Sequence, residues 1–208
     1  MPHPWFSVWL IHPKPEACEA FERRFAGLPD IRVIQQRYEQ LPPHDCFVTA
    51  GNAYGVMTAG IDAAIIDRFG EGLMREVQEH IMEHYLGEQP VGTAFVVPTN
   101  DPARPQLCHA PTMRTPGAIT GTSNIYTATF AALTAVHRYN VCHDDELSTV
   151  VFPAMGTGFG QVSFDEAARQ MAVAYRHYLR PSGRPTWDSI VARERRICYD
   201  GDAKVVRA

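Results

Sequence analysis

The sequence predicts an α/β protein built on a largely parallel, buried sheet with helices on both faces. Three observations point there. Short runs of β-branched and aromatic residues alternate along the chain with longer segments whose apolar residues recur at helical spacing. The run at 149–152 is strand-like from end to end, as befits a strand covered on both faces. The 208 residues are 45% hydrophobic and 20% charged, which excludes a disordered, collagenous or coiled-coil chain.

Taken in order, residues 6–11 form a first strand ended by Pro13, and residues 31–34 a second. Between them a helix over 16–25 places Ala17, Phe21 and Phe25 on one face and stops at Gly27. Residues 45–50 read as a third strand, followed by the glycine-punctuated loop GNAYGVMTAG at 51–60. Two helices come next, 61–69 (Ile61, Ile65, Phe69) and 73–86 (Leu73, Val77, Ile81, Tyr85), parted near Gly70 and Gly72. Strands at 93–97 and 107–110 have proline-marked ends at Pro98, Pro105 and Pro111. An Ala-rich helix over 124–139 carries Tyr126, Phe130, Leu133 and Val136 on its apolar face. The strand at 149–152 then runs into PAMGTGFGQ and a helix over 165–179. Beyond Arg180, Pro181, Gly183 and Pro185 break the pattern, and 187–199 forms a terminal helix or strand.

At roughly 150 residues per domain, this length predicts one domain over 1–180 with a C-terminal extension, 181–208, packed on it. The balance of 19 Lys+Arg against 23 Asp+Glu, with no basic run beyond Arg193, Arg195 and Arg196, gives no sign of binding to a nucleic-acid backbone. Five widely spaced cysteines without a CxxC pair read as reduced, cytoplasmic thiols. No signal peptide and no membrane span is expected.

Two glycine-rich loops, 51–60 and 154–160, each follow a strand and precede a helix, where open α/β sheets bind ligands. Glycines there let successive N–H groups converge on an anion, assisted by the helix N-terminus, and a diphosphate is the natural ligand. Neither loop is a Walker motif or a GxGxxG fingerprint, so kinase and nicotinamide dehydrogenase readings lose their support.

The ordered set DCFVTAGNAYGVMTAGIDAAIIDRFG, GTAFVVPT, LCHAPTMR, an Asn-x-Tyr at a helix start and VVFPAMGTGFG resembles the macro domain, an ADP-ribose-binding module, over about residues 6–179. The resemblance is closest to a microbial branch that processes ADP-ribose 1''-phosphate. It implies a three-layer α/β/α fold with a mixed, largely parallel central sheet and binding of ADP-ribose or an ADP-ribosylated substrate. It further implies metal-independent hydrolysis of an ADP-ribosyl linkage with no cofactor; a non-catalytic reader of ADP-ribose or a related nucleotide is the alternative. By the same resemblance Asn52 holds the distal ribose and Asp62 orients or activates water. Gly60 and Ile61 present backbone N–H groups to the diphosphate, and Gly156, Thr157, Gly158, Phe159 and Gly160 form the second phosphate loop, Phe159 packing on the ligand. Glu39 is the candidate acceptor for the adenine amino group. Hydrolases of the best-studied branch carry three or more glycines before the apolar-Asp pair, whereas Thr58, Ala59 and Gly60 stand here. The second loop is also shorter than the version that adds an aromatic over the ribose. Both departures favour binding over hydrolysis.

Two other patterns compete. His80 to His84, HIMEH, satisfies the inverted zincin pattern but lacks a recognisable third ligand, and its histidines flank an apolar stripe. Cys108 and His109 are adjacent in a strand and therefore face opposite sides of the sheet, so they cannot act as a nucleophile–base pair. The polar run Cys142 to Glu146 reads as a solvated connection. A scaffold that keeps the fold but no longer binds a ligand is the third class, after hydrolase and reader.

Overall fold

The computed structural model describes residues 6–181 and 183–199. Among them, strands β1 (Ser7–Ile11), β2 (Ile31–Ile34), β3 (Cys46–Thr49), β4 (Phe95–Pro98), β5 (Gln106–His109) and β6 (Thr149–Pro153) form one sheet in the order β2-β1-β6-β3-β5-β4. Every neighbouring pair is parallel except β4, which runs antiparallel to β5 at the edge. The sheet is largely parallel, as the alternating pattern predicts, and mixed, as the resemblance implies.

The two-residue period of a strand divides the core into two layers. Val8, Leu10, Cys46, Val48, Cys108, Val150 and Phe152 face helices α1 (Pro15–Phe25), α4 (Asn124–Cys142) and α5 (Phe164–Leu179). Ile11, Phe47, Leu107 and Val151 face α2 (Gly60–Phe69) and α3 (Glu71–Tyr85), where Ile65, Val77 and Ile81 are buried. Each such Leu, Ile or Phe contributes about 1.5–3 kcal/mol of transfer free energy. Cys108 and His109 do point to opposite faces.

Helix α6 (Trp187–Ile197) settles the choice left open for 187–199 in favour of a helix. Thr186 caps it reciprocally with Ser189, at 2.9 and 3.3 Å. Arg169 on α5 donates to the carbonyls of Arg196 and Cys198, both at 2.7 Å, at its other end. Among the described residues no helix is long and apolar enough to cross a membrane, and Cys18, Cys46, Cys108 and Cys142 are free thiols.

The topology makes a crevice in one place. β1 pairs with β6 over five positions, but β3 pairs with β6 over Cys46–Val150 and Phe47–Val151 only. The two strands therefore part before their carboxyl ends. After β3 the chain crosses to the α2 face, and after β6 it crosses to the α5 face, so the gap is a switch point of the kind that receives ligands in α/β sheets.

Candidate functional site

A cleft of about 330 Å³ opens above that gap. Its walls are the two glycine loops, with Ala50, Asn52, Tyr54, Val56 and residues 58–62 on one side and Pro153, Ala154, Gly156 and residues 158–160 on the other; Met113 and Pro116 close one end. Seen from the sequence, Asn52, Asp62, Gly60, Ile61, Gly156, Gly158, Phe159 and Gly160 are brought together here. Thr157 is not at the surface of the cleft: its hydroxyl donates to Ala154 O at 2.9 Å and closes the turn. The structure does not bring Glu39 to the cleft either. It lies in the 3-10 turn Tyr38–Gln40 with an exposed side chain.

The first loop is held by Asn52, whose side chain is largely spent on its own backbone. Its Oδ1 accepts from the N–H groups of Tyr54 (3.1 Å) and Val56 (3.4 Å), and its Nδ2 donates to Val56 O at 2.8 Å. This Asx-type turn leaves one amide hydrogen for a ligand hydroxyl. Helix α2 begins at Gly60, at φ +60°, with Ile61 second and Asp62 third. The first N–H groups of a helix lack intrahelical partners, so this end of the cleft is lined by donors and by the positive end of a helix dipole.

Asp62 is buried and accepts a hydrogen bond from the hydroxyl of Thr49, the last residue of β3. Among the described residues lining the cleft it is the one carboxylate. Burial raises its pKa to about 6, and the Thr49 hydroxyl, which favours the ionised form, works against that rise. Below that pH the group is an acid, and above it a base of useful strength.

The second loop is folded by contacts too close for side chains. Gly156 has φ +70°, and a Cβ there would meet Ile125 at 2.8 Å; a Cβ on Gly160 would collide with Gly156 O. Ile119 N–H donates to Gly160 O at 2.9 Å and ties the loop to the segment before α4. Gly158 is different, since space is open around it. Phe159 is 58% exposed and, like the exposed Val56, lines the cleft.

Sequence reasoning missed Thr49, Tyr54, Val56, Met113 and Pro116. Thr49 carried a signal, a lone hydroxyl in an otherwise apolar strand directly before the loop. Tyr54 donates to Glu88 at 2.9 Å, and Arg114 forks onto the same carboxylate at 2.6 and 2.9 Å, a rim cluster joined over 60 residues of chain that no local pattern reveals. In the competing motif, His80 stacks on Phe95 with centroids 3.8 Å apart. Among the described residues no group of three or more His, Cys, Asp or Glu could hold a metal. His143 stacks on Tyr139 of α4 at 4.0 Å and Asp145 accepts from the Tyr139 hydroxyl at 3.0 Å, which ties the exposed connection to the helix.

The family model described as Macro domain matches residues 48–171, which contain both loops and Asp62. The chain belongs to the macro domain family. Like other members of known structure, this macro domain has an α/β/α sheet sandwich: it superposes on an Oceanobacillus iheyensis macrodomain variant with ADPR at TM-score 0.55 and 21% identity, covering 67% of this chain and 73% of that one. A Trypanosoma brucei macrodomain in complex with ADP matches at TM-score 0.55 and 14% identity over 88% of this chain and 64% of that one. In sequence, an uncharacterized protein of Aquifex aeolicus is 29% identical over 149 residues, 72% of this chain and 82% of that protein.

Proposed function

We propose that this macro domain binds ADP-ribose in the cleft between the two loops and hydrolyses the bond joining its distal ribose to a carrier. The observation that carries the reading is Asp62: a buried carboxylate at the first turn of α2, lining the same cleft as two backbone-donor loops. Those loops suit a diphosphate. The ADPR and ADP named with the two structural neighbours support the same ligand class. Widely spaced cysteines without a CxxC pair accord with a reducing compartment, and a cytoplasmic location is part of the proposal.

In the proposed reaction the distal ribose lies beside Asn52, whose remaining amide hydrogen fixes a ribose hydroxyl. Ionised Asp62 accepts a proton from a water held against the anomeric carbon as the water oxygen bonds to that carbon. The bond from the carbon to the carrier breaks, and its electron pair stays with the carrier. The proton then passes to the departing group. Positive charge that develops on the sugar is stabilised by the carboxylate, and fixing the water supplies several kcal/mol by proximity, about what a well-oriented intramolecular reaction gains. No metal takes part in this scheme.

One observation favours the reader as a second reading. Thr58 and Ala59 stand where a glycine run would let the backbone close on the sugar, and Ala59 occupies the N-cap of α2. The test is turnover of mono-ADP-ribosylated protein, nucleic acid and ADP-ribose esters by the wild type and Asp62→Ala. Release of ADP-ribose by the wild type, lost in a variant that still binds it, supports hydrolysis; binding without release from any substrate leaves the reader.

A further inference from the structure

Beneath the first loop lies a buried polar pair that the scheme above does not use. His109, the last residue of β5, is fully buried on the α2–α3 side of the sheet. Its Nδ1 meets Gln89 Oε1 at 2.6 Å. The Gln89 amide nitrogen donates to Thr93 O at 3.2 Å, so the glutamine oxygen is the acceptor and Nδ1 carries the imidazole proton. Nε2 is then a bare lone pair, buried and without a hydrogen-bond partner among the described residues. It occupies the space that a Cβ on Gly51 would enter.

That contact is specific. A Cβ built on Gly51 would lie 2.5 Å from His109 Nε2, 3.1 Å from its Cδ2 and 3.4 Å from its Cε1, and these are the three nearest atoms. Gly51 does not have a positive φ, so its backbone is open to any residue and the imidazole is what keeps a side chain out. Gln89, also fully buried, holds the same loop by donating its backbone N–H to Ala53 O at 2.8 Å. Thr112 N–H donates to Gly51 O at 3.1 Å. Residues 51 and 53, which flank Asn52, are thus both set by the His109–Gln89 pair.

We propose that His109, oriented by Gln89, is the positioning residue of the ligand loop: its neutral ring is the floor on which Gly51 rests, and it fixes the height at which Asn52 enters the cleft. The inference takes its binding readout from the proposed function. Burial lowers the imidazole to about 3, so the ring remains neutral and the contact unbroken over the whole neutral range.

The experiment is a double-mutant cycle with Gly51→Ala and His109→Ala, read as affinity for ADP-ribose and as melting temperature, with no ligand needed for the second. Gly51→Ala alone lifts the loop and weakens binding about tenfold or more, as overpacking against a rigid ring does. His109→Ala weakens it less, and the pair of substitutions together binds and melts above Gly51→Ala, because the added methyl then fills space the ring has left. A double variant that binds no better and melts no higher than Gly51→Ala overturns the inference, as does a Gly51→Ala protein with wild-type affinity and melting temperature. If the melting temperatures show the rescue while the wild type does not bind ADP-ribose, the packing inference stands and the proposed function falls.

Discussion

Replacing Asp62 by asparagine should make this macro domain more stable at neutral pH and, under the proposed hydrolysis, end turnover. The carboxyl has an ordinary value of 3.8 and is raised to about 6 in the folded protein, first by burial. Its folded-state pKa lies above its unfolded one, so the stability it contributes is complete below about pH 4 and is lost as pH climbs through 6. Holding the ionised form in the fold at pH 7.5 therefore costs roughly 3 kcal/mol relative to the unfolded chain. Asparagine has the same shape, keeps an oxygen to accept from the Thr49 hydroxyl and carries no charge. Urea unfolding of the two proteins at pH 4, 5, 6 and 7.5 is the assay. The variant should match the wild type at pH 4 and exceed it by roughly 3 kcal/mol at pH 7.5, or about 6 to 12 °C in Tm for a domain of this size. A variant less stable than the wild type at pH 7.5, or separated from it by the same interval at every pH, would refute the reasoning.

Three further outcomes follow from the same geometry. Thr49→Val removes the hydroxyl that favours ionised Asp62, so the acid limb of the proposed hydrolysis should move upward by about one to two pH units; a pH–rate profile that does not move contradicts this. Gly158→Glu puts bulk and negative charge into open space at the cleft, and calorimetry should show ADP-ribose binding lost with Tm nearly unchanged. Arg169→Met takes a guanidinium from the buried Glu166 carboxylate and from the carbonyls at the end of α6. Denaturant unfolding should show a loss of about 3 kcal/mol, with α6 the first segment to exchange its amide hydrogens.

Much of the fold was legible because its signals are local. The runs at 31–34 and 149–152 and the helical i, i+4, i+8 spacing of Leu73, Val77 and Ile81 each report the face they bury, and the observed elements begin and end within a few residues of those readings. The continuation of α4 to Cys142 was not, because it depends on Asn140 reaching across the next connection to bond Leu147 in both directions, at 2.9 and 3.1 Å. In the site, the two loops could be found from their glycines and their place after strands. What could not be found was pairing at long range: Thr49 under Asp62, His109 under Gly51, and Glu88 between Tyr54 and Arg114. Glu39 shows the converse. A residue type suited to the adenine amino group sits in the chain near the first loop, but a 3-10 turn holds it away from the cleft. Asn52 lies in the cleft, yet the bonds it makes to its own loop became visible only in three dimensions.

The most direct test of the account is a calorimetric titration of the full chain with ADP-ribose, beside ADP and NAD. One-site binding with a Kd near the micromolar level, about 8 kcal/mol, and preference for ADP-ribose over both controls is the predicted result. No heat of binding from ADP-ribose at millimolar concentration would leave the macro domain fold intact and contradict the central claim that its two-loop cleft is an ADP-ribose site.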